Sequence, residues 1–337
     1  MKRFLLLRIV SAVILAVGVT LVSFIVTNLL PGDPAAASLG QRAIEDKAAV
    51  AAFRKTNGLD RPLPVQYATY LIHVAKGDLG RSQQSRRPVL QDLRDYVPAT
   101  LELAGTASVI AMFIGVSLGT WAALRRDGPV DNALRVVSLG GVSMPLFWLA
   151  LTSLYLFSFR LRIFPGSGRL DPGMARPTKR TGMYTIDSLL DGNFTSFRNA
   201  VGHLLLPSLV LAAYAVGVLT RFTRSSVLEV MGNDYVRAAH AKGLPLRTVM
   251  VRHVLRAALV PIITVAGTTF AGMLAGTVLT EKIFGWAGVG QLAYRSAVSL
   301  DLPAIMGVSL FVALLYIVIN LLLDVAYGLI DPRIRLR

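Results

Sequence analysis

The sequence predicts an all-α polytopic membrane protein with six transmembrane helices, a short cytoplasmic helix and a partly ordered first outer loop. Hydrophobic residues make up 54% of the 337 residues and charged residues only 16%. Six apolar segments are long enough to cross a hydrocarbon core of roughly 30 Å. They lie at about 8–30, 98–124, 134–160, 201–222, 256–280 and 304–328.

The basic residues predict the orientation of these spans. Short cytoplasmic connections of membrane proteins are enriched in Lys and Arg. Dense clusters of basic residues precede the first span, flank the second connection, fill the fourth connection and end the chain. If these clusters are cytoplasmic, both termini are cytoplasmic as well. The third connection, 160–200, also holds seven basic residues and runs against this assignment. The clusters are Lys2, Arg3 and Arg8; Arg125, Arg126 and Arg135; seven residues from Arg221 to Arg256; and Arg333, Arg335 and Arg337.

The first segment, 1–30, is predicted to be a retained membrane anchor. Its apolar run is long enough to span and lacks the small-residue cleavage site of a signal peptide. The first outer loop, 31–97, carries turn signals at Pro31–Pro34 and Gly77–Gly80, with helical spacing over 41–56 and 65–75. We expect it to be a small lid, the alternative being a solvated connection.

Two spans carry pairs of small residues that let helix backbones approach closely. The pairs are Gly115 with Gly119 and Gly272 with Gly276. Packing within the chain is the simpler interpretation, and an interface with a second membrane subunit is the alternative. Glu102 and Asp324 lie near span ends, where snorkelling or capping accounts for them.

The sequence gives no support to several classes of chemistry. It contains no cysteine, no G-x-x-x-x-G-K-[ST] phosphate loop and no H-E-x-x-H, and its four histidines are scattered. We therefore predict no catalytic, cofactor-binding or metal site. The net charge of +16 is assigned to loops that meet anionic lipid and partner proteins rather than nucleic acid.

A polar break within 229–256 holds the stretch DYVRAAHAKG, Asp234–Gly243. Asn233 or Asp234 suits the N-cap of a short helix over 235–242, and Gly243 suits the positive φ that often follows a helix. Pro245 is predicted to start the next helix. The alanines make this helix slim, so it could enter a groove on another protein, or it could merely join two spans.

This stretch resembles the EAA loop of bacterial ABC importer permeases, in which a coupling helix docks on the ATP-hydrolysing subunit. Arg237 occupies the family's Glu position, as in the dipeptide/oligopeptide/nickel branch. Further segments are similar to the B-type permease of peptide importers over nearly the whole chain, whereas 169–195 departs from it. They include Leu30–Pro34, Gly58–Tyr67, Gly77–Ser82, Pro98–Leu103, Pro145–Ser158, His203–Glu229 and Ile319–Arg333.

The resemblance implies a permease core at 98–337 and a transport subunit of the cell inner membrane that forms half of a pore. It implies as partners a second homologous permease, ATP-binding subunits that carry ATP and Mg, an extracytoplasmic substrate-binding protein and a peptide substrate. It assigns coupling to the ATPase to Asp234, Tyr235, Arg237, Ala238, Ala239, Lys242, Gly243 and Leu244.

Two further sets of residues are weaker candidates. The resemblance places Phe284, Gly288 and Gly290 at an outer gate, although an interfacial aromatic anchor also fits. Thr264, Thr268 and Thr269 could line the pathway or bond their own helix backbone. An ion-coupled secondary transporter, and a same-family importer of nickel or another solute, remain alternatives.

Overall fold

The computed structural model describes residues 2–29, 48, 51 and 60–330, with side chains at 10–26, 48, 51 and 60–323. Most of the predicted helix 41–56, the turn at 31–34, the side chain of Asp324 and the basic cluster 333–337 lie outside these residues. The described part is helical, with one isolated β-bridge between Arg81 and Pro88. The helices are α1 (Lys2–Leu29), α2 (Leu63–Ala75), α3 (Val89–Leu124), α4 (Pro129–Ser143), α5 (Leu146–Arg160), α6 (Tyr184–Leu190), α7 (Phe194–Met231), α8 (Asp234–Ala241), α9 (Leu246–Phe284), α10 (Val289–Val298) and α11 (Leu302–Ile330).

The all-α polytopic class is confirmed, whereas the count of six spans stays a prediction. Four described helices are long and apolar enough to cross a membrane: α3, α7, α9 and α11 over Leu302–Leu323. Helices α4 and α5 together make a fifth if the bent pair counts as one span, and α1 contributes the shorter apolar stretch Val10–Val26.

The third predicted span, 134–160, is divided into two helices. Helices α4 and α5 meet at a bend of 100°. The break falls at Met144, which has φ −77° and ψ 128°, directly before Pro145. A proline ring disfavours helical geometry in the residue before it, so the chain turns extended here despite its apolar composition.

Two compact units divide the chain by their internal contacts. The first contains residues 1–99 and 287–318, and the second contains 100–286 and 319–337. The predicted domains 1–30, 31–97 and 98–337 stay a prediction.

In the first unit, α2 packs against α1. The Tyr67 hydroxyl donates to the carbonyl of Val17 at 2.8 Å, and its ring lies 5.4 Å from that of Phe24. A second cluster of buried residues joins α3, α10 and α11 through Val89, Leu292 and Val308. Part of the first outer loop is therefore ordered, as predicted.

The second unit is built around α7, which packs against α4, α6 and α9. The predicted pair of small residues in α3, Gly115 and Gly119, packs against α7. A Cβ on Gly115 would lie 2.6 Å from the Cβ of Leu219, and one on Gly119 would lie 2.5 Å from the carbonyl oxygen of Thr220. The pair in α9 behaves differently, because a Cβ on Gly272 would meet no described atom within 4 Å. Only the first pair is a close helix contact at both glycines.

This difference gives a matched test. Gly119→Ala is expected to destabilise the protein by about 1–3 kcal/mol, because the added methyl group forces two packed helices apart. Gly272→Ala meets open space and removes a flexible residue from a helix, so its effect should be neutral or slightly stabilising. Thermal unfolding of both purified variants measures the difference. Equal unfolding temperatures would show that α3 and α7 do not pack through Gly119.

Candidate functional site

The predicted short helix is α8, Asp234–Ala241. It begins after Asn233, whose backbone is extended at φ −74° and ψ 146°. The predicted side-chain cap is wrong, because the Asn233 side chain makes no cap hydrogen bond. Gly243 has φ +74°, as its position after the helix predicts, and its N–H donates to the carbonyl of His240 at 2.9 Å. Pro245 lies one position earlier than predicted, as the N-cap of the helix that starts at Leu246.

Two side chains anchor α8 to the rest of its unit. Val236 and Ala239 are 2% and 6% exposed, and they join a cluster of buried residues that includes Val227, Val254 and Ile262. Ala239 therefore holds the helix in place from its inner side. Its predicted contact with a partner is not supported by its burial, although the neighbouring residues remain available.

A face of α8 beside this buried side is open. Tyr235, Ala238 and Lys242 are exposed, and their spacing of three and four residues places them on one face of the helix. We call these three residues, with Leu244 beyond the helix end, the α8 surface. Tyr235 is 47% and Leu244 37% exposed. Beside this surface, Arg237 forms an exposed ion pair with Asp234 at 2.8 Å, which adds little stability because water screens it.

The pathway candidates divide into two kinds. The hydroxyls of Thr264 and Thr268 donate to backbone carbonyls of their own helix, at 3.0 Å to Val260 and 3.1 Å to Val265. Hydrogen bonding to their own helix backbone is the arrangement predicted as the alternative to a pathway role. Thr269 lines a mostly apolar cavity of about 360 Å³ with Phe270 and Met273. A role in the pathway stays a prediction for all three threonines.

The gate candidates lie at the end of α9 and the start of α10. Phe284 is 2% exposed and packs with Ala150 and Val210. Gly288 is the N-cap of α10, and Gly290 is buried within it. The turn after Phe284 is built by Gly285, which has φ +62°. A role of Phe284, Gly288 and Gly290 in gating stays a prediction.

The sequence did not predict an ion pair that the segment 169–195 forms. Arg169 donates to the Glu102 carboxylate at 2.6 Å, and both side chains are at least 92% buried, with exposures of 8% and 2%. Glu102 also accepts from the backbone N–H and hydroxyl of Thr185, at 2.8 and 2.7 Å. The Arg169 guanidinium lies 3.7 Å from the ring centre of Tyr184. Glu102 is thus a buried partner rather than a snorkelling group.

The turn that carries this segment into α6 is held by Asp187. Its fully buried carboxylate accepts from the Thr181 N–H and hydroxyl and from the Gly182 N–H, at 2.7–2.8 Å. Burial raises the pKa of Asp187, but these bonds outweigh burial and hold the pKa below its ordinary value. The ionised form is therefore the one the fold stabilises.

This arrangement predicts a pH-dependent effect of Asp187→Asn. Because the pKa is lower in the folded state, the stabilisation is present above the ordinary pKa of about 3.9 and is lost as the pH falls through the lower folded value. At neutral pH the variant should lose about 1–3 kcal/mol. Unfolding of both proteins between pH 7 and 3 should show the difference shrinking towards acid. The exposed Asp234→Asn serves as a control, and a difference that is constant with pH would contradict the assignment.

A second missed cluster surrounds Asp131, which is fully buried. Arg224 donates to its two oxygens at 2.6 and 2.7 Å, and Arg135 donates at 2.7 Å. These contacts join the start of α4 to the last third of α7. The i, i+4 spacing of Asp131 and Arg135 was visible in the sequence, whereas Arg224 lies 93 positions away.

Comparison with protein-family models decides the family. Residues 115–336 match the model "Binding-protein-dependent transport system inner membrane component", and residues 1–104 match its N-terminal counterpart. The chain belongs to this family. It is a multi-pass permease of the inner membrane that works with other components of a binding-protein-dependent transport system. This confirms the resemblance to ABC importer permeases that the loop at 234–243 and the other segments carry.

Relatives within this family cover almost the whole chain. The probable D,D-dipeptide transport system permease of Escherichia coli K12 is 44% identical over 96% of this chain and 94% of its own. The di/tripeptide transport system permease of Pseudomonas aeruginosa is 43% identical over 94% of each. The dipeptide transport system permease of E. coli K12 is 37% identical over 99% of each. A solved chain of the inward-facing MetNI methionine ABC transporter has a TM-score of 0.49 at 15% identity over 69% of this chain and 93% of that chain, too distant to bear on function.

Proposed function

We propose that this permease forms half of the translocation pathway of an ATP-driven importer of dipeptides or oligopeptides. The relatives named above are permeases of dipeptide and di/tripeptide transport systems, and their similarity extends over nearly all of this chain. The second half of the pathway is a homologous permease. An extracytoplasmic binding protein delivers the peptide, and ATP and Mg are bound by partner subunits.

The α8 surface is the observation that carries the coupling mechanism. Val236 and Ala239 fix α8 to the buried cluster beneath it, so a force on its open face is transmitted to α7 and α9. Closure of the ATP-binding subunits moves α8 and tilts these helices, which exchanges outer for inner access. Coupling assigns α8 to the cytosol and, with the basic clusters, both termini as well.

The ion-coupled alternative is not favoured. Such transporters use ionisable groups near the bilayer midplane that exchange ions. The buried carboxylates named here, among the described residues of the spans, are each engaged by a partner. Glu102 binds Arg169, Asp131 binds two arginines, and Glu281 accepts from the Thr100 hydroxyl at 2.6 Å.

Uptake by vesicles separates the two mechanisms. The permease is reconstituted with the products of its neighbouring reading frames, and entry of a radiolabelled dipeptide is measured with internal ATP and no ion gradient. We expect ATP-dependent uptake. Uptake driven by a proton or sodium gradient without ATP would overturn the proposal.

Cross-linking tests the coupling contact directly. A cysteine is introduced at Lys242, which is exposed on the α8 surface, and a second at the buried Ala239 serves as the control. The chain has no native cysteine, so each variant carries one reactive thiol. We expect Lys242→Cys to cross-link to an ATP-binding subunit. Labelling of Lys242→Cys by an impermeant reagent from the outer face of intact cells would overturn the assignment of α8 to the cytosol.

A further inference from the structure

A groove between α4 and α7 is not used by the proposed transport mechanism. Its volume is about 300 Å³. Leu134, Leu139 and Val142 supply its apolar lining, and Arg135, Arg221 and Arg224 supply its charge. The arginines lie where α4 begins and α7 approaches α8, at the same membrane face as α8.

The charge of the groove is only partly neutralised from within. Arg224 and Arg135 both bind Asp131, and Arg135 also pairs with Asp127 at 3.2 Å. Arg221 is exposed on the groove, and no described residue forms an ion pair or hydrogen bond with its guanidinium. Three guanidiniums against two carboxylates leave one positive charge without a partner.

One residue of the lining also carries a buried polar atom without a partner. Thr220 lines the groove, is 3% exposed, and its hydroxyl has no hydrogen-bond partner among the described residues. Buried polar groups normally find a partner, and each exception calls for a bound group or water.

The backbone approach beside Thr220 fixes the shape of the groove. A Cβ on Gly217 would lie 2.7 Å from the carbonyl oxygen of Ser138, so α4 and α7 are in close contact at this level. Helices this closely packed cannot close further over the groove to cover its apolar lining. The lining must therefore be covered by another molecule of the membrane.

We propose that this groove binds one anionic phospholipid. Its phosphate lies between Arg221 and Arg135, and one acyl chain covers Leu134, Leu139 and Val142. Basic pockets between transmembrane helices are typical headgroup sites at the cytoplasmic side. A free phosphate would match the arginines but not the apolar lining. The leaflet assignment rests on the proposed function, whereas the class of ligand does not.

The test measures bound lipid on the assembled transporter. The complex is exchanged into nanodiscs of phosphatidylglycerol and phosphatidylethanolamine and then extracted into mild detergent. Native mass spectrometry measures the mass of the complex and of the lipid that stays bound to it. We expect retained phosphatidylglycerol, reduced about fivefold or more in Arg221→Gln, because one cation near a membrane surface contributes roughly 1 kcal/mol of attraction to anionic lipid. Arg125→Gln is the matched control, since it removes one exposed cation at the same membrane face outside the groove.

Two further experiments distinguish binding of the whole lipid from binding of its headgroup alone. Ser138→Trp keeps every arginine and fills the chain-binding part of the groove, so it should also lose the lipid. Excess glycerol phosphate should not displace it. Equal retention in Arg221→Gln and Arg125→Gln, equal retention of phosphatidylethanolamine, or displacement by glycerol phosphate would each overturn the proposal. Because occupancy is read by mass, failure here leaves the peptide-uptake result unaffected.

Discussion

Replacing Ala238 with tryptophan is expected to abolish ATP-driven peptide uptake while the chain still folds and inserts. Ala238 is exposed at the middle of the α8 surface and contributes nothing to the buried cluster beneath α8. A slim helix can enter a groove on an ATP-binding subunit, whereas an indole at this position would collide with the groove walls. A clash that costs even about 1.4 kcal/mol weakens docking tenfold, and a rigid collision costs several times more. Uptake into vesicles and co-purification of the ATP-binding subunit measure the effect.

The control is the same change at an exposed alanine elsewhere. Ala133 lies exposed on α4, where an indole reaches lipid or the membrane interface. Ala133→Trp should retain both uptake and the ATP-binding subunit. Both variants should unfold at the wild-type temperature, because neither alanine is buried. Normal co-purification of the ATP-binding subunit with Ala238→Trp would remove α8 from the coupling mechanism.

The position and ends of α8 could be predicted because the signals are local. Gly243 takes positive φ since its Cβ is absent, and that preference is a property of one residue. Which side of α8 is buried could not be read from eight residues. Val236 and Ala239 face inwards because α7 and α9 supply apolar partners from distant parts of the chain, such as Val227 and Ile262.

Apolar length predicted the long helices of the core but not the bend between α4 and α5. The stretch 134–160 has the composition of one span, and the steric effect of Pro145 on Met144 divides it into α4 and α5. Hydropathy averages over about twenty residues and is insensitive to a constraint on one ψ angle. Long-range ion pairs were missed for a related reason, because nothing near Glu102 in the sequence indicates a partner 67 positions away.

The largest expected loss of stability follows Arg169→Ala. The change leaves the Glu102 carboxylate buried with only the Thr185 groups as partners, and removes the guanidinium from the Tyr184 and Trp286 rings. Removing one partner of a buried ion pair typically costs about 3–5 kcal/mol. The unfolding temperature of the purified permease should therefore fall by roughly 5–10 °C.

Arg180→Ala is the matched control within the same connection. Arg180 pairs with Asp191 at 3.3 Å, but its side chain is 54% exposed, so the loss should stay below about 1 kcal/mol. The double variant Glu102→Gln with Arg169→Met removes both charges and keeps their volume. It should recover most of the lost stability, because the penalty comes from the uncompensated carboxylate rather than from the missing pair. If Arg169→Ala unfolds no earlier than Arg180→Ala, Glu102 is hydrated in the membrane, and the segment 169–195 is not held to α3 by this pair.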